Sequence, residues 1–121
     1  MYMMGNNIDK LSAKEVVLAF IDALNKEDFD TAGNYLATGM TFKGVLGSRD
    51  GADAYMKDMR QMKLKYNVKK TIAEDNDVCL FYDLAMSGIT IFGCGWYTVK
   101  EGKISSLNVL FDPRPILEQA K

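Results

Sequence analysis

Tyr82-Asp83-Leu84-Ala85-Met86-Ser87-Gly88, continued through Gly102-Lys103-Ile104 to Phe111-Asp112-Pro113-Arg114-Pro115, is the stretch that decides the fold. Apolar residues recur there at every second position, and the runs break near Gly88 and at Glu101-Gly102, as in antiparallel strands joined by tight turns. The same period reaches back to Tyr66. Four strands are therefore expected, over 66–74, 78–86, 89–100 and 103–111, with a further turn at Asp75-Asn76-Asp77 and a stop at Pro113 and Pro115.

Upstream of Tyr66 the period is helical. Ser12-Ala13-Lys14-Glu15 is a capping box that opens a helix to about Asn25, with Val16, Ala19, Phe20, Ala23 and Leu24 as its apolar stripe. Asp28 or Asp30 starts a second short helix through Leu36, and Met40-Thr41-Phe42-Lys43 reads as a strand. A loop over 44–51 follows, and Asp50 is placed to cap a third helix to about Leu64, with Tyr55, Met56, Met59 and Met62 along one side. The expected architecture is α+β: three N-terminal helices packed in a curved antiparallel meander. One domain spans 12–117, and residues 1–11 form a loose N-terminal arm.

Turns centred on Asn76, on Gly88 and between Glu101 and Gly102 set three rows across the sheet. They are Val68/Leu84/Phe92/Phe111, Lys70/Tyr82/Cys94/Val109 and Ile72/Leu80/Trp96/Leu107. This register puts most large apolar residues on one inner face. The other face, with Phe81, Tyr97, Ile104 and Leu110 among polar neighbours, is apolar enough to predict a homodimer through it.

Composition narrows the function classes. A chain of 121 residues with 48% hydrophobic and 26% charged content is expected to be one soluble globular domain. Fifteen Lys+Arg against sixteen Asp+Glu give a net charge of -1, which offers no general attraction to nucleic acid or anionic lipid. No apolar run reaches membrane-spanning length and the N-terminus lacks a signal pattern, so the cytoplasm is the expected compartment. The chain has no histidine, which removes Ser/His and Cys/His nucleophile arrangements, imidazole bases and His-ligated metals together. Cys79 and Cys94 lack metal spacing, and no phosphate-cradling glycine loop occurs, so neither a metal nor a cofactor is expected.

The order helix, short helix, strand, helix and long meander resembles the nuclear transport factor 2-like superfamily, in particular its SnoaL-like and ketosteroid-isomerase-like members. The marks that carry the resemblance are Glu27-Asp28-Phe29, Val45-Leu46-Gly47-Ser48, and Gly102-Lys103-Ile104-Ser105-Ser106-Leu107 with Phe111-Asp112-Pro113-Arg114-Pro115. It implies a cystatin-like cone whose sheet wraps the helices around an apolar cavity, with dimers through the outer sheet face common. Ketosteroid isomerases use a tyrosine on the first helix, an aspartate after the first strand and a second acid on an inner strand. Those positions fall on Phe20, Gly44 and near Cys94, which excludes steroid isomerisation by that mechanism. Dehydratases of the family that depend on histidine find no match either.

Inside such a cone the expected lining comes from Phe20, Tyr35 and Phe42, then Tyr55 and Met59 of the third helix. The strands add Tyr82 and Leu84, Phe92, Cys94 and Trp96, and Leu107, Val109 and Phe111. Aromatic rings would hold a flat or apolar molecule by area while their O–H and N–H groups orient it; the same rings also suit a filled core. Three residues are candidates for chemistry. Lys70 faces the cavity beside Tyr82 in the register above, as a base, Schiff-base amine or anion partner, whereas a one-residue bulge over 66–74 turns it outward. Asp112, where SnoaL-like cyclases keep an acidic residue near the pocket, is a general base if buried, or simply the start of an Asp-Pro turn. Three functions stay open: a container for a small apolar or aromatic molecule, with or without catalysis; a SnoaL-like lyase, isomerase or cyclase using Asp112 or Lys70 with Tyr82; and a dimeric interaction module with a filled core. A cavity of about 300 Å³ or more separates the first two from the third.

Overall fold

The computed structural model describes residues 11–119, so the expected arm falls almost wholly outside the described residues. Helices α1 (Ala13–Asn25), α2 (Phe29–Asn34) and α3 (Ala52–Met62) pack against a curved six-stranded sheet. The strands are β1 (Leu36–Lys43), β2 (Ser48–Asp50), β3 (Lys65–Glu74), β4 (Asp77–Met86), β5 (Ile89–Lys100) and β6 (Lys103–Phe111), and a short α4 (Arg114–Gln119) follows. Their order is β2-β1-β6-β5-β4-β3, antiparallel throughout except that β1 runs parallel to β6. Two elements were not legible as such: β2, inside the expected loop, and α4, which begins beside the prolines. Pro115 is tolerated there because the first turn of a helix needs no N–H from it.

The capping box forms as read. The Glu15 amide donates to Ser12 Oγ at 3.1 Å and the Ser12 amide to Glu15 Oε1 at 2.8 Å. Such a cap contributes about 1 kcal/mol, less than the ~1.5–3 kcal/mol from burying one large apolar side chain. Packing therefore holds α1: Val16, Val17, Phe20, Ile21 and Leu24 are buried, in one core with Leu80, Tyr97, Ile104 and Leu107 of the strands. Helix α3 differs from expectation at its start, where Gly51 is the N-cap and Asp50, in β2, makes no capping bond.

The register corrects the sequence reading on two strands. Ser87 and Gly88 both take positive φ, so the β4–β5 hairpin closes on a two-residue turn with Met86 opposite Ile89. Its centre lies half a residue before Gly88, and that offset turns every side chain of β5 over. Ile91, Tyr97 and Val99 are buried, whereas Phe92 and Trp96 are 60% and 49% exposed on the outer face, with Cys94 beside them. The glycines fit this register. A Cβ on Gly95 would stand 2.9 Å from the Tyr97 ring and 3.3 Å from the Tyr82 hydroxyl, so these two rings occupy the space a side chain would need.

On β3 the turn is Asp75-Asn76, and a bulge interrupts the pairing between Val68 and Lys70. Val68 lies opposite Tyr82 and Thr71 opposite Leu80, while Lys70 and Ile72 pair with the outer-face residues Phe81 and Cys79. Lys70 is thus exposed, and no ammonium needs to be taken out of water. A second bulge, between Thr98 and Val99, lets both Ile104 and Leu107 face inward, where Ile104 had been expected outside.

Candidate functional site

The helices leave the open end of the sheet uncovered, and a cavity of about 450 Å³ lies there. Helix α3 supplies one wall through a single face: Tyr55, Asp58, Met59 and Met62, three or four residues apart. The inner faces of β4 to β6 supply the other through Tyr82, Leu84, Ile91, Val109 and Phe111. The turn over 44–47, closed by the Gly44 amide on the Gly47 carbonyl at 2.8 Å, brings Val45 and Leu46 to the rim, and Ile116 of α4 completes the lining.

Tyr66 enters the wall because the end of α1 fixes the start of β3. The Asn25 side chain pairs with the Tyr66 backbone in both directions, accepting its N–H at 2.7 Å and donating to its carbonyl at 2.9 Å. Lys65 adds bonds to the Asn25 carbonyl at 3.0 Å and to Glu27 Oε2 at 2.8 Å. The Tyr66 ring then meets Tyr82 edge-on at 5.1 Å, and Phe42 lies 5.2 Å from Tyr55.

Burial raises the phenol pKa of Tyr55, Tyr66 and Tyr82 well above the ordinary value, with the Tyr55 hydroxyl partly offsetting this for Tyr66. All three are neutral near pH 7, so they act as hydrogen-bond partners and not as bases. Tyr66 is only half-buried as a residue, but its hydroxyl end is turned inward. The Tyr82 hydroxyl makes no hydrogen bond to another side chain or backbone group among the described residues. Among the described residues one ion pair lines the cavity: Arg49 Nε, from β2, on Asp58 Oδ2 at 2.8 Å.

Of the residues expected to line the cavity, Phe42, Tyr55, Met59, Tyr82, Leu84, Val109 and Phe111 do so. Phe20 and Leu107 are buried in the core beneath it, and Tyr35 caps α2 away from it. Phe92, Cys94 and Trp96 lie on the outer face, with the Trp96 indole donating to Asp77 Oδ1 at 3.0 Å. Neither non-tyrosine candidate for chemistry reaches the cavity. Lys70 is exposed behind the bulge, and Asp112 is gripped by the Arg114 guanidinium, which with the Arg114 backbone N–H holds its carboxyl down at about 2. That pairing is the Asp-Pro turn reading, and it leaves Asp112 a poor base near pH 7. Sequence reasoning missed Tyr66, Ile91, Arg49 and Asp58. Asp58 carried a signal in its spacing of three from Tyr55 on the helix, and Tyr66 in its spacing of two from Val68 on the strand.

Residues 17–107 match the model of the SnoaL-like domain family. Among solved structures, an NTF2-like protein of unknown function from Cytophaga hutchinsonii is 47% identical, with a TM-score of 0.87, over 89% of this chain and 96% of that one. A protein from Kribbella flavida is 30% identical, with a TM-score of 0.82, over 92% and 94%. An LEH-like epoxide hydrolase of M. tuberculosis shares the fold at 24% identity and a TM-score of 0.74, over 88% and 86%. No curated protein matches the chain by sequence. No helix among the described residues is long and apolar enough to cross a membrane.

Proposed function

The chain belongs to the SnoaL-like domain family, and from that premise we propose that it binds a small, largely apolar or aromatic molecule whose acceptor oxygen meets the Tyr82 hydroxyl. What supports this reading is one combination: a cavity of about 450 Å³ walled mainly by hydrocarbon, lined by a buried phenol that has no hydrogen-bond partner among the described residues. A polar group so placed costs free energy until something bonds to it. The open space favours a ligand over a filled interaction module. A panel of flat ketones and phenols tests the reading: binding raises Tm by linkage, and Ile91→Trp, which fills the cavity, removes the response. A panel without any response overturns it.

A second reading, turnover of the ligand, rests on Asp58. It is the one carboxylate lining the cavity among the described residues, and it lies near enough to Tyr55 to raise that phenol further. Once a ligand separates it from Arg49, which holds its Oδ2 at 2.8 Å, such a carboxylate beside neutral phenols can remove a proton next to a carbonyl while the phenols stabilise the enolate oxygen. Deuterium exchange into a bound ketone, lost in Asp58→Asn, supports turnover; no exchange leaves carriage alone.

Two copies are proposed to pair through the outer face. Cys79 lies opposite Trp96 there, and Phe81, Cys94 and Leu110 form a row across three strands. Phe92, Trp96 and Leu110, the last 65% exposed, form an apolar patch that a second copy would cover.

A further inference from the structure

The buried inner end of the cavity holds phenols among hydrocarbon, and its mouth has a hydrocarbon edge beside the polar side chains of Arg49, Asp58 and Gln61. Tyr55 and Tyr82, each 2% exposed, line its inner end and are neutral phenols, the Tyr82 hydroxyl lying over Gly95 beside the Tyr97 ring. At the other end Val45, Leu46 and Met62 are exposed yet belong to the same wall, and Leu46 is 54% open to water. One exposed leucine needs no explanation. Three apolar residues on the rim of one apolar cavity make a hydrocarbon path from its interior to the surface. The charges in the lining do not interrupt it, because Arg49 and Asp58 neutralise each other at 2.8 Å.

Resting on the reading of the cavity as a ligand site, we infer that its ligand is a linear amphiphile bound head inward: an uncharged carbonyl group at Tyr82, and an alkyl tail leading out past Val45 and Leu46. A compact ring system fills the interior and leaves the rim bare, whereas a chain covers both. The head is uncharged because a carboxylate at the inner end would meet phenols and, among the described residues, no cation; Arg49, the cation in the described lining, is already engaged by Asp58.

Methyl ketones of about six to twelve carbons, with linear carboxylates of equal length, test this by calorimetry on the intact chain. Ketone affinity is expected to rise about threefold to fourfold per methylene through the whole series, and the carboxylates to bind at least about tenfold more weakly. Val45→Ser with Leu46→Ser, both exposed and so harmless to the core, should leave the shortest ketones unchanged and flatten the rise for the longest. A plateau at short chains in the wild type overturns the inference, as do carboxylates that bind more tightly than ketones. A plateau together with co-sedimentation on phosphatidylcholine vesicles reassigns the rim to a lipid surface and equally overturns it. If short ketones bind and the rise is missing, only this inference fails; if no ketone binds at all, the reading of the cavity as a ligand site fails with it.

Discussion

On the inner face of β5, Ile91, Tyr97 and Val99 are buried between two glycines' worth of vacated space, while one residue away Phe92 and Trp96 stand largely open. Both faces carry large apolar side chains, so hydrophobic content cannot tell them apart. The discriminating residues are the ones without side chains: Gly95 lies where the Tyr97 ring and the Tyr82 hydroxyl need room, and Gly93 where β6 approaches, its Cβ position 2.9 Å from the Leu110 carbonyl. Core and outer surface of this sheet thus differ in the depth available to each residue more than in composition.

That difference is broken most severely by truncating Tyr97. Tyr97→Ala is expected to cost about 3–5 kcal/mol in urea unfolding, whereas Trp96→Ala on monomeric protein costs under about 1.5 kcal/mol, its main loss being the exposed bond to Asp77. Equal losses would mean that the two faces are exchanged. Next in size is the outer patch. Leu110→Asp should turn a dimer in sedimentation into a monomer, an effect of about 2 kcal/mol or more if Leu110 is central to the contact; a wild type that stays monomeric at high micromolar concentration ends the dimer proposal.

A methyl group sharpens the comparison on a single strand. Gly95→Ala should destabilise by about 1–3 kcal/mol, because its Cβ crowds the Tyr97 ring at 2.9 Å. Cys94→Ala, on the half-exposed outer side, should stay within about 0.5–1 kcal/mol. Comparable losses in the two variants would argue against the close packing of Tyr97 on β5.

The smallest effect separates Asp112 from the cavity. Its folded pKa is depressed, from an ordinary 3.8 to about 2. The sign follows: its pairing with Arg114 stabilises above the ordinary value and is lost as pH falls through about 2. Carboxyl NMR should find the midpoint near that value and see it move back up in Arg114→Ala. A midpoint raised above the ordinary value would instead place Asp112 in an apolar pocket.

Most of the fold was legible because its signals are local: a capping box, a change of period at Tyr66, and turn residues at Asp75-Asn76, Gly88 and Glu101-Gly102. Half of the site was legible with it, since β4 and the upper part of β6 keep the alternation that puts Tyr82, Leu84, Val109 and Phe111 inside. The rest depended on half-residue offsets. A turn centred on Gly88 and one centred between Ser87 and Gly88 look alike in sequence, yet they place Trp96 and Tyr97 on opposite faces. The β3–β4 turn is likewise centred between Asp75 and Asn76, which puts Lys70 outside, and the bulge beyond it, which returns Val68 to the inner face, has no sequence mark. Arg49 reaches the cavity through its pairing with Asp58, which no local pattern announces, whereas Tyr66 follows the alternation of Val68 and is fixed there by Asn25.

The proposed ligand site lies on the inner face of the sheet. Isotope-filtered NOE spectroscopy of the protein with a methyl ketone of about eleven carbons tests this directly. Ligand protons are predicted to contact the rings of Tyr82 and Phe111 and the methyl groups of Ile91, with the tail reaching Leu46. Contacts to Phe92 or Trp96 instead, or none to any of the cavity residues, would contradict it.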